Sequence, residues 1–253
     1  MTGYDIKSLF FAILGKELKA KYKGMVLGYA WSLLLPLCQS LVFLVVFNKF
    51  LRFPIKDYFL FLTIGFVFWQ FFSNSVIQGA SVLINNSNLI KKTTCPRLIF
   101  VAAAVGAEAV HFLVTLPVLL LLMLWCGRIP EWSNLYSFFA TLLTLGLFTF
   151  GTATLVALCN VFFRDLERLL QVLLQVWFYI TPIFYSMAQI PDRYHDLFLL
   201  NPLYIPLRLF RATFYSPEWL LNWSCFSLIA GTLFCVLSVG IFYRFEKHIA
   251  ELL

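Results

Sequence analysis

The sequence predicts an all-α integral membrane protein with six transmembrane helices. Two observations carry that prediction. Of 253 residues, 61% are apolar and only 12% are charged, about half the roughly 25% charged residues of a soluble domain. Several uncharged runs, Trp132–Phe163 among them, exceed the roughly 18 residues that mark a membrane-spanning helix. A water-soluble core cannot be built from this composition, because too little polar surface would remain to cover it.

Residues 4–22 read as an N-terminal interfacial amphipathic helix. Ile6, Phe10, Ile13, Leu14 and Leu18 fall near one face and Lys7, Lys16, Lys19 and Lys23 elsewhere, the pattern of a basic helix lying in the membrane surface. Thr2 stands three residues before Asp5, as in a capping box. The charges follow the first apolar stretch instead of preceding it, the reverse of a cleavable signal.

The six spans are read as residues 26–47, 58–84, 98–126, 135–158, 169–188 and 223–243, each long enough to cross at 1.5 Å per residue. Between the fourth and fifth lies NVFFRDLERLL (Asn160–Leu170), with Arg164, Asp165, Glu167 and Arg168 set in apolar sequence. Four charges at mid-bilayer would cost roughly 10–14 kcal/mol. Each flanking leucine recovers only about 0.3–0.6 kcal/mol. The charges therefore mark a turn outside the membrane. Asp165 and Arg168 are spaced to neutralise each other on one helical turn.

Six spans leave both termini on one side, which would hold twelve Lys and Arg residues against seven on the other. The positive-inside bias makes that side the cytoplasm. The external segment 191–218 contains LFLLNPLYIPL (Leu197–Leu207), uncharged but too short to cross. Its length suggests a re-entrant segment, with Pro202 and Pro206 breaking it into short helices that rim or plug an external opening.

Motifs for catalysis are missing. The chain has no GxxxxGK[ST], HExxH or GxSxG sequence, and so no recognisable phosphate loop, zinc-protease site or nucleophile elbow. The six cysteines form no CxxC or Cys/His cluster and read as small packing residues. No metal site is expected. Glu108 and His111 are three apart inside the third span and share a face. An intramembrane acid is a functional candidate by default, and its role as a pathway residue or as a structural hydrogen-bonding group stays open at this level. Trp177, Tyr179 and Tyr185 belong to an aromatic cluster on the fifth span, and aromatic faces can stack on sugar rings.

The order of these features resembles a known family. An amphipathic N-terminal helix precedes LGYAWSLLLPL (Leu27–Leu37). NNSNLIKKTTCPR (Asn85–Arg97) joins spans two and three. NVFFRDLERLL leads to a span ending WFYITPIFY (Trp177–Tyr185), and the external segment carries NPLYIPLRLFR (Asn201–Arg211). Over essentially its whole length the chain is similar to the membrane subunit of polysaccharide-exporting ABC transporters. These are ABC-2 type permeases that export O-antigen, capsule or teichoic acid chains.

The resemblance implies a homodimer of this chain working with two copies of a separate ATPase subunit, which would hold ATP and its Mg ion. This chain would bind no cofactor of its own and no nucleic acid. The substrate would be an undecaprenyl-diphosphate-linked polysaccharide, moved through a bacterial inner membrane. Residues 85–97 would be the coupling helix docked on the ATPase, with Asn85, Asn86, Asn88, Lys91, Lys92 and Arg97 as contacts. Residues 191–218 would be the external gate, with Asn201, Pro202, Tyr204, Arg208 and Arg211. Arg97 and Arg164 are candidates for a diphosphate at the entrance, since arginine binds phosphate through two parallel hydrogen bonds. Glu108, His111, Trp177, Tyr179 and Tyr185 are candidates for the channel. A drug-type exporter of the same superfamily is the nearest alternative. A membrane-bound acyltransferase would need a His or acid pair near the interface, and none is convincing here.

Overall fold

The computed structural model describes residues 6–22, 30–50, 55–92, 95–128, 135–163, 165–215 and 220–252. Among them every regular element is helical. In chain order these are α1 (Ile6–Tyr22), α2 (Ala30–Phe43), α3 (Tyr58–Asn85), α4 (Ser87–Lys92), α5 (Leu98–Trp125), α6 (Leu135–Phe162), α7 (Leu166–Ile180), α8 (His195–Leu199), α9 (Tyr204–Tyr215) and α10 (Leu220–Leu252). Thr2 and Asp5, the expected capping pair, lie outside the described residues, as does Arg164.

Among the described residues four helices are long and apolar enough to cross a membrane: Tyr58–Asn85, Leu98–Trp125, Tyr136–Phe162 and Trp223–Lys247. α3 is the centre of the bundle. Its apolar stretch is 78% buried, against 28% for that of α10, so α10 lies at the periphery. α6 packs between them. A Cβ on Gly79 would come within 2.8 Å of the Ala153 Cβ, so α3 and α6 approach this closely only because both positions are small. Near this contact Asn160, fully buried, donates from Nδ2 to the Ala80 carbonyl at 2.8 Å and ties the two backbones together.

Two of the six expected spans depart from the continuous α-helix that the apolar sequence suggests, residues 26–29 of the first lying outside the described residues. The first, expected over 26–47, is α-helical from Ala30 to Phe43, about 21 Å at 1.5 Å per residue, and continues as a π-helix over Leu44–Phe50. Pro36 lies inside it, and Ser40 Oγ bonds the Pro36 carbonyl. The fifth, expected over 169–188, stops at Ile180. Pro182 disfavours helical backbone at the residue before it, and Thr181 is extended, with φ −84° and ψ 133°. At 15 residues, about 22 Å, α7 falls short of the roughly 30 Å hydrocarbon thickness.

The N-terminal helix also differs from a free interfacial helix. One face packs on α5 through Ile13, Phe10 and Leu14, with Phe10 and Leu14 lying over Gly106. Ile6 and Phe11 are left exposed. In the 191–218 segment a break at 200–203 separates α8 from α9. Pro206 does not break the chain. It stands in the first turn of α9, where a missing N–H costs nothing. α9 sinks into the bundle: Phe210 is fully buried and its ring packs on Phe68 of α3, Phe112 of α5 and Phe138 of α6.

Candidate functional site

The described residues form two polar ends and a lateral cavity. At the first end, α3 stops at Asn85 and the short α4 follows. Buried Asn86 turns the corner: its side-chain amide donates to the Val82 carbonyl at 2.8 Å, and its carbonyl oxygen accepts from Lys16 Nζ of α1. Ile90, 6% exposed, pins α4 to the core. Asn85, Asn88, Leu89 and Lys91 are left on the outside. Further on, the Arg97 backbone N–H donates to Glu246 Oε1 at 3.0 Å, and its guanidinium donates to the Glu246 carbonyl on α10. The connector is thus fastened to α1 at one side and to α10 at the other, and presents a polar face between.

The lateral cavity, about 320 Å³, lies among α2, α3, α5 and the end of α1. Its polar lining includes Lys21, Gln70, Asn74, Glu108 and His111. Glu108 is 4% exposed. Both of its oxygens accept from Lys21 Nζ, at 2.7 and 2.8 Å. A buried carboxylate is costly to hold unless it is paired and hydrogen-bonded, and Lys21 supplies that partner from the last turn of α1. Gln70 Nε2 reaches Gln39 Oε1 of α2 at 2.9 Å.

At the opposite end, the break after α7 frees three successive carbonyls, and each has a donor from elsewhere in the chain. Arg211 of α9 donates from Nη1 to the Pro182 carbonyl and from Nη2 to that of Ile183. Tyr58 Oη donates to the Phe184 carbonyl at 2.6 Å. The Arg211 guanidinium lies over the Phe61 ring, 3.6 Å from its centroid. Gly65 makes the notch for it, since a Cβ there would stand 2.6 Å from Arg211 Nη2. Asn201 completes the fastening. Its Oδ1 accepts from Trp177 Nε1 at 3.0 Å and from the Leu203 N–H at 3.1 Å, while its Nδ2 donates to Thr181 Oγ1 at 3.0 Å. Beside it, Arg128 binds Asp57 through Nε and Nη2, at 2.9 and 2.7 Å. Tyr215 Oη donates to the Asp57 carbonyl at 2.9 Å. Asp57 has φ 52°, a left-handed conformation that Asp tolerates better than most residues. An outward cavity of about 790 Å³ opens here, with Lys56, Tyr185, His195, Arg208 and Trp223 on its walls.

The model of the family described as ABC-2 type transporter matches residues 8–215. The chain belongs to the ABC-2 type transporter family. It is a membrane subunit that transports, with no ATPase of its own. It is 33% identical over 247 residues to the O-antigen export system permease protein RfbA of Klebsiella pneumoniae, covering 97% of this chain and 95% of that one. RfbA of Myxococcus xanthus is 32% identical over 215 residues, 84% of this chain and 82% of that one. The polysialic acid transport protein KpsM of Escherichia coli is more distant, 22% identical over 206 residues and 80% of each chain.

In this ABC-2 chain, Glu108 and His111 do share one cavity. The aromatic candidates do not join them. Trp177 is engaged with Asn201 and packs on Phe72. Tyr185 Oη donates to the carbonyls of Tyr179 and Ile180 at 3.1 and 3.2 Å, closing the last turn of α7. Tyr179 is 54% exposed on the outer face of α7. Phe43, Phe66, Phe178 and Phe184 pack on one another as core instead of lining a conduit. Arg208 extends toward Tyr204 Oη at 3.4 Å. Pro202 sits at the break before α9. The side chain of Lys92 lies outside the described residues. Sequence reasoning missed Lys21, Tyr58 and Asn160. A lysine 87 positions from its acid carries no local signal, whereas Asn160, an amide at the end of an uncharged run, could have been flagged.

Proposed function

We propose that this chain is the permease subunit of an ATP-driven exporter that moves lipid-linked polysaccharide, O-antigen most closely, out of the cytoplasm. The α4 end faces the cytoplasm in this reading, with both termini there, in a bacterial inner membrane. The observation that carries it is the outward face of α4, held at fixed points by Ile90, Asn86 and Arg97, on a chain similar over nearly its full length to O-antigen export permeases. That face is the docking surface for a separate ATPase subunit, which binds ATP and Mg. A six-residue helix anchored on both sides passes a push from the partner into α1 and α10 without bending.

Two copies of the chain form the working unit. α7 buries only Leu170 and Leu174 while Leu169, Val172, Leu173, Val176 and Ile180 are each more than half exposed, a surface suited to a second protomer along the path. The α8–α9 segment is the external gate, with α8 its moving part and α9 the fixed frame against which it closes. O-antigen is preferred to capsule because the O-antigen relatives are 32–33% identical and the polysialic acid relative 22%.

Co-purification tests this reading. The chain should bring down an ATPase subunit in equal amount, and Lys91→Glu with Lys92→Glu should lose it or leave its hydrolysis unlinked to export. A stable, active chain with no ATPase partner would overturn the proposal.

A further inference from the structure

The lateral cavity holds chemistry that the reading so far leaves unused. Three of its groups have spare binding capacity. Asn74 lines it and makes no hydrogen bond among the described residues, although an amide offers two donors and an acceptor. Inside a membrane such a group finds no water to serve it. Glu108 offers roughly four acceptor directions, and one ammonium occupies two of them. Trp31, 48% exposed, supplies an apolar aromatic face on the same wall. The rest of the lining is mixed: Leu35, Val67, Phe71 and Phe112 are apolar, and Gln70, His111 and Thr115 add polar groups.

This set selects a ligand. A purely apolar occupant, such as an acyl chain, would leave Asn74 unpaired and Glu108 half-served. A sugar ring fits both demands: its hydroxyls donate to the carboxylate and accept from the amide, and its C–H face covers the indole. Lys21, which is 31% exposed at the rim, has a third N–H left for an adjoining phosphate. At about 320 Å³ the cavity is near the small end of ligand pockets, with room for one sugar and not for a chain.

We propose that the cavity between α1, α2, α3 and α5 binds the polar head of a lipid-linked saccharide, with the first sugar held by Asn74, Glu108 and Trp31 and its phosphate against Lys21. The assignment rests on the proposed export of a lipid-linked glycan. It adds where the lipid-proximal sugar is recognised before the chain moves. α1 then forms part of the site, since the residue that closes it over Glu108 comes from that helix.

The test is equilibrium binding to the permease–ATPase complex in nanodiscs. Three radiolabelled probes are compared: a polyprenyl diphosphate carrying one sugar, the same lipid without sugar, and phosphatidylglycerol. Wild type should bind the sugar-bearing lipid at least tenfold more tightly than the sugar-free one. Asn74→Ala and Trp31→Ala should each weaken the sugar-bearing lipid by about tenfold, the loss of roughly one good contact, and leave the sugar-free lipid unchanged. Neither residue holds the fold together, so both variants should be recovered at wild-type yield with the ATPase attached. If both bind the sugar-bearing lipid as tightly as wild type, this site is wrong while the export reading stands. Equal losses for phosphatidylglycerol would make the cavity a general lipid crevice and also overturn the proposal. If wild type binds no sugar-bearing lipid at all, it is the substrate class under the export reading that fails.

Discussion

The two ends of the bundle solve the same problem in opposite ways. At the α9 end the break at Pro182 exposes a run of carbonyls, and each of the three is capped by a donor rooted in a buried helix, Arg211 or Tyr58. Asn201 adds three further bonds. At the α4 end the connector is hung on Lys16 to Asn86 and on Glu246, whose side chain accepts from the Arg97 backbone N–H and whose carbonyl accepts from the Arg97 guanidinium, with Lys21 to Glu108 holding the adjoining helix. Rotamer-rich lysines lose more entropy when fixed, and each such tether can release and re-form. The difference teaches where motion belongs. In the proposed transport cycle the α9 base is the fixed frame and the α4 end is the part that is displaced.

The largest effect is expected from Arg211→Ala. It strands two acceptors and loses two charge-assisted bonds, so thermal unfolding in detergent should show a loss of about 3 kcal/mol. Arg211→Lys should recover little, because an ammonium cannot reproduce the planar fork. A fully stable Arg211→Ala would mean the frame is not fixed by these bonds.

Lys21→Met comes next. Breaking a buried pair typically costs about 3–5 kcal/mol, but Lys21 is about a third exposed, which brings the expected loss to about 2 kcal/mol. Lys21→Met with Glu108→Gln should be milder than Lys21→Met alone, since no charge is then left unpaired. A double variant as unstable as the sum of the singles would deny the coupling.

Asn160→Ala should cost about 1 kcal/mol through the lost bond to Ala80, read as a lower midpoint in the same melt. The smallest change in stability, within about 0.5 kcal/mol, is expected of Lys91→Glu, whose side chain is exposed. Its effect should instead appear as ATP hydrolysed without export.

Much of this was legible in the sequence, and the reasons are physical. α3 and α5 begin and end within a residue of expectation because uncharged runs stop where polar clusters begin: Asn85–Asn88 for one, Arg97 and Arg128 for the other. The turn at Asp165 was legible because charges are costly inside a bilayer. The early end of α7 was not. Hydropathy stays high through Phe184, and only the Thr181–Pro182 backbone and distant donors reveal the break. For the same reason Trp177 was legible as part of an aromatic cluster, but the commitment of its indole N–H to Asn201 was not. Glu108 was legible as an intramembrane acid; its partner Lys21 was not, because pairing across 87 positions is set by the packing of α1 on α5.

The central claim is that the α4 face receives the ATPase while the α9 frame stays fixed. Backbone hydrogen exchange on the permease, with and without the ATPase subunit, tests it most directly. The account predicts slower exchange over Ser87–Lys92 on binding, with Arg97–Phe100 following, and no change over Thr181–Tyr185 and Tyr204–Tyr215. Unchanged exchange in α4, or protection appearing at the α9 end instead, would contradict it.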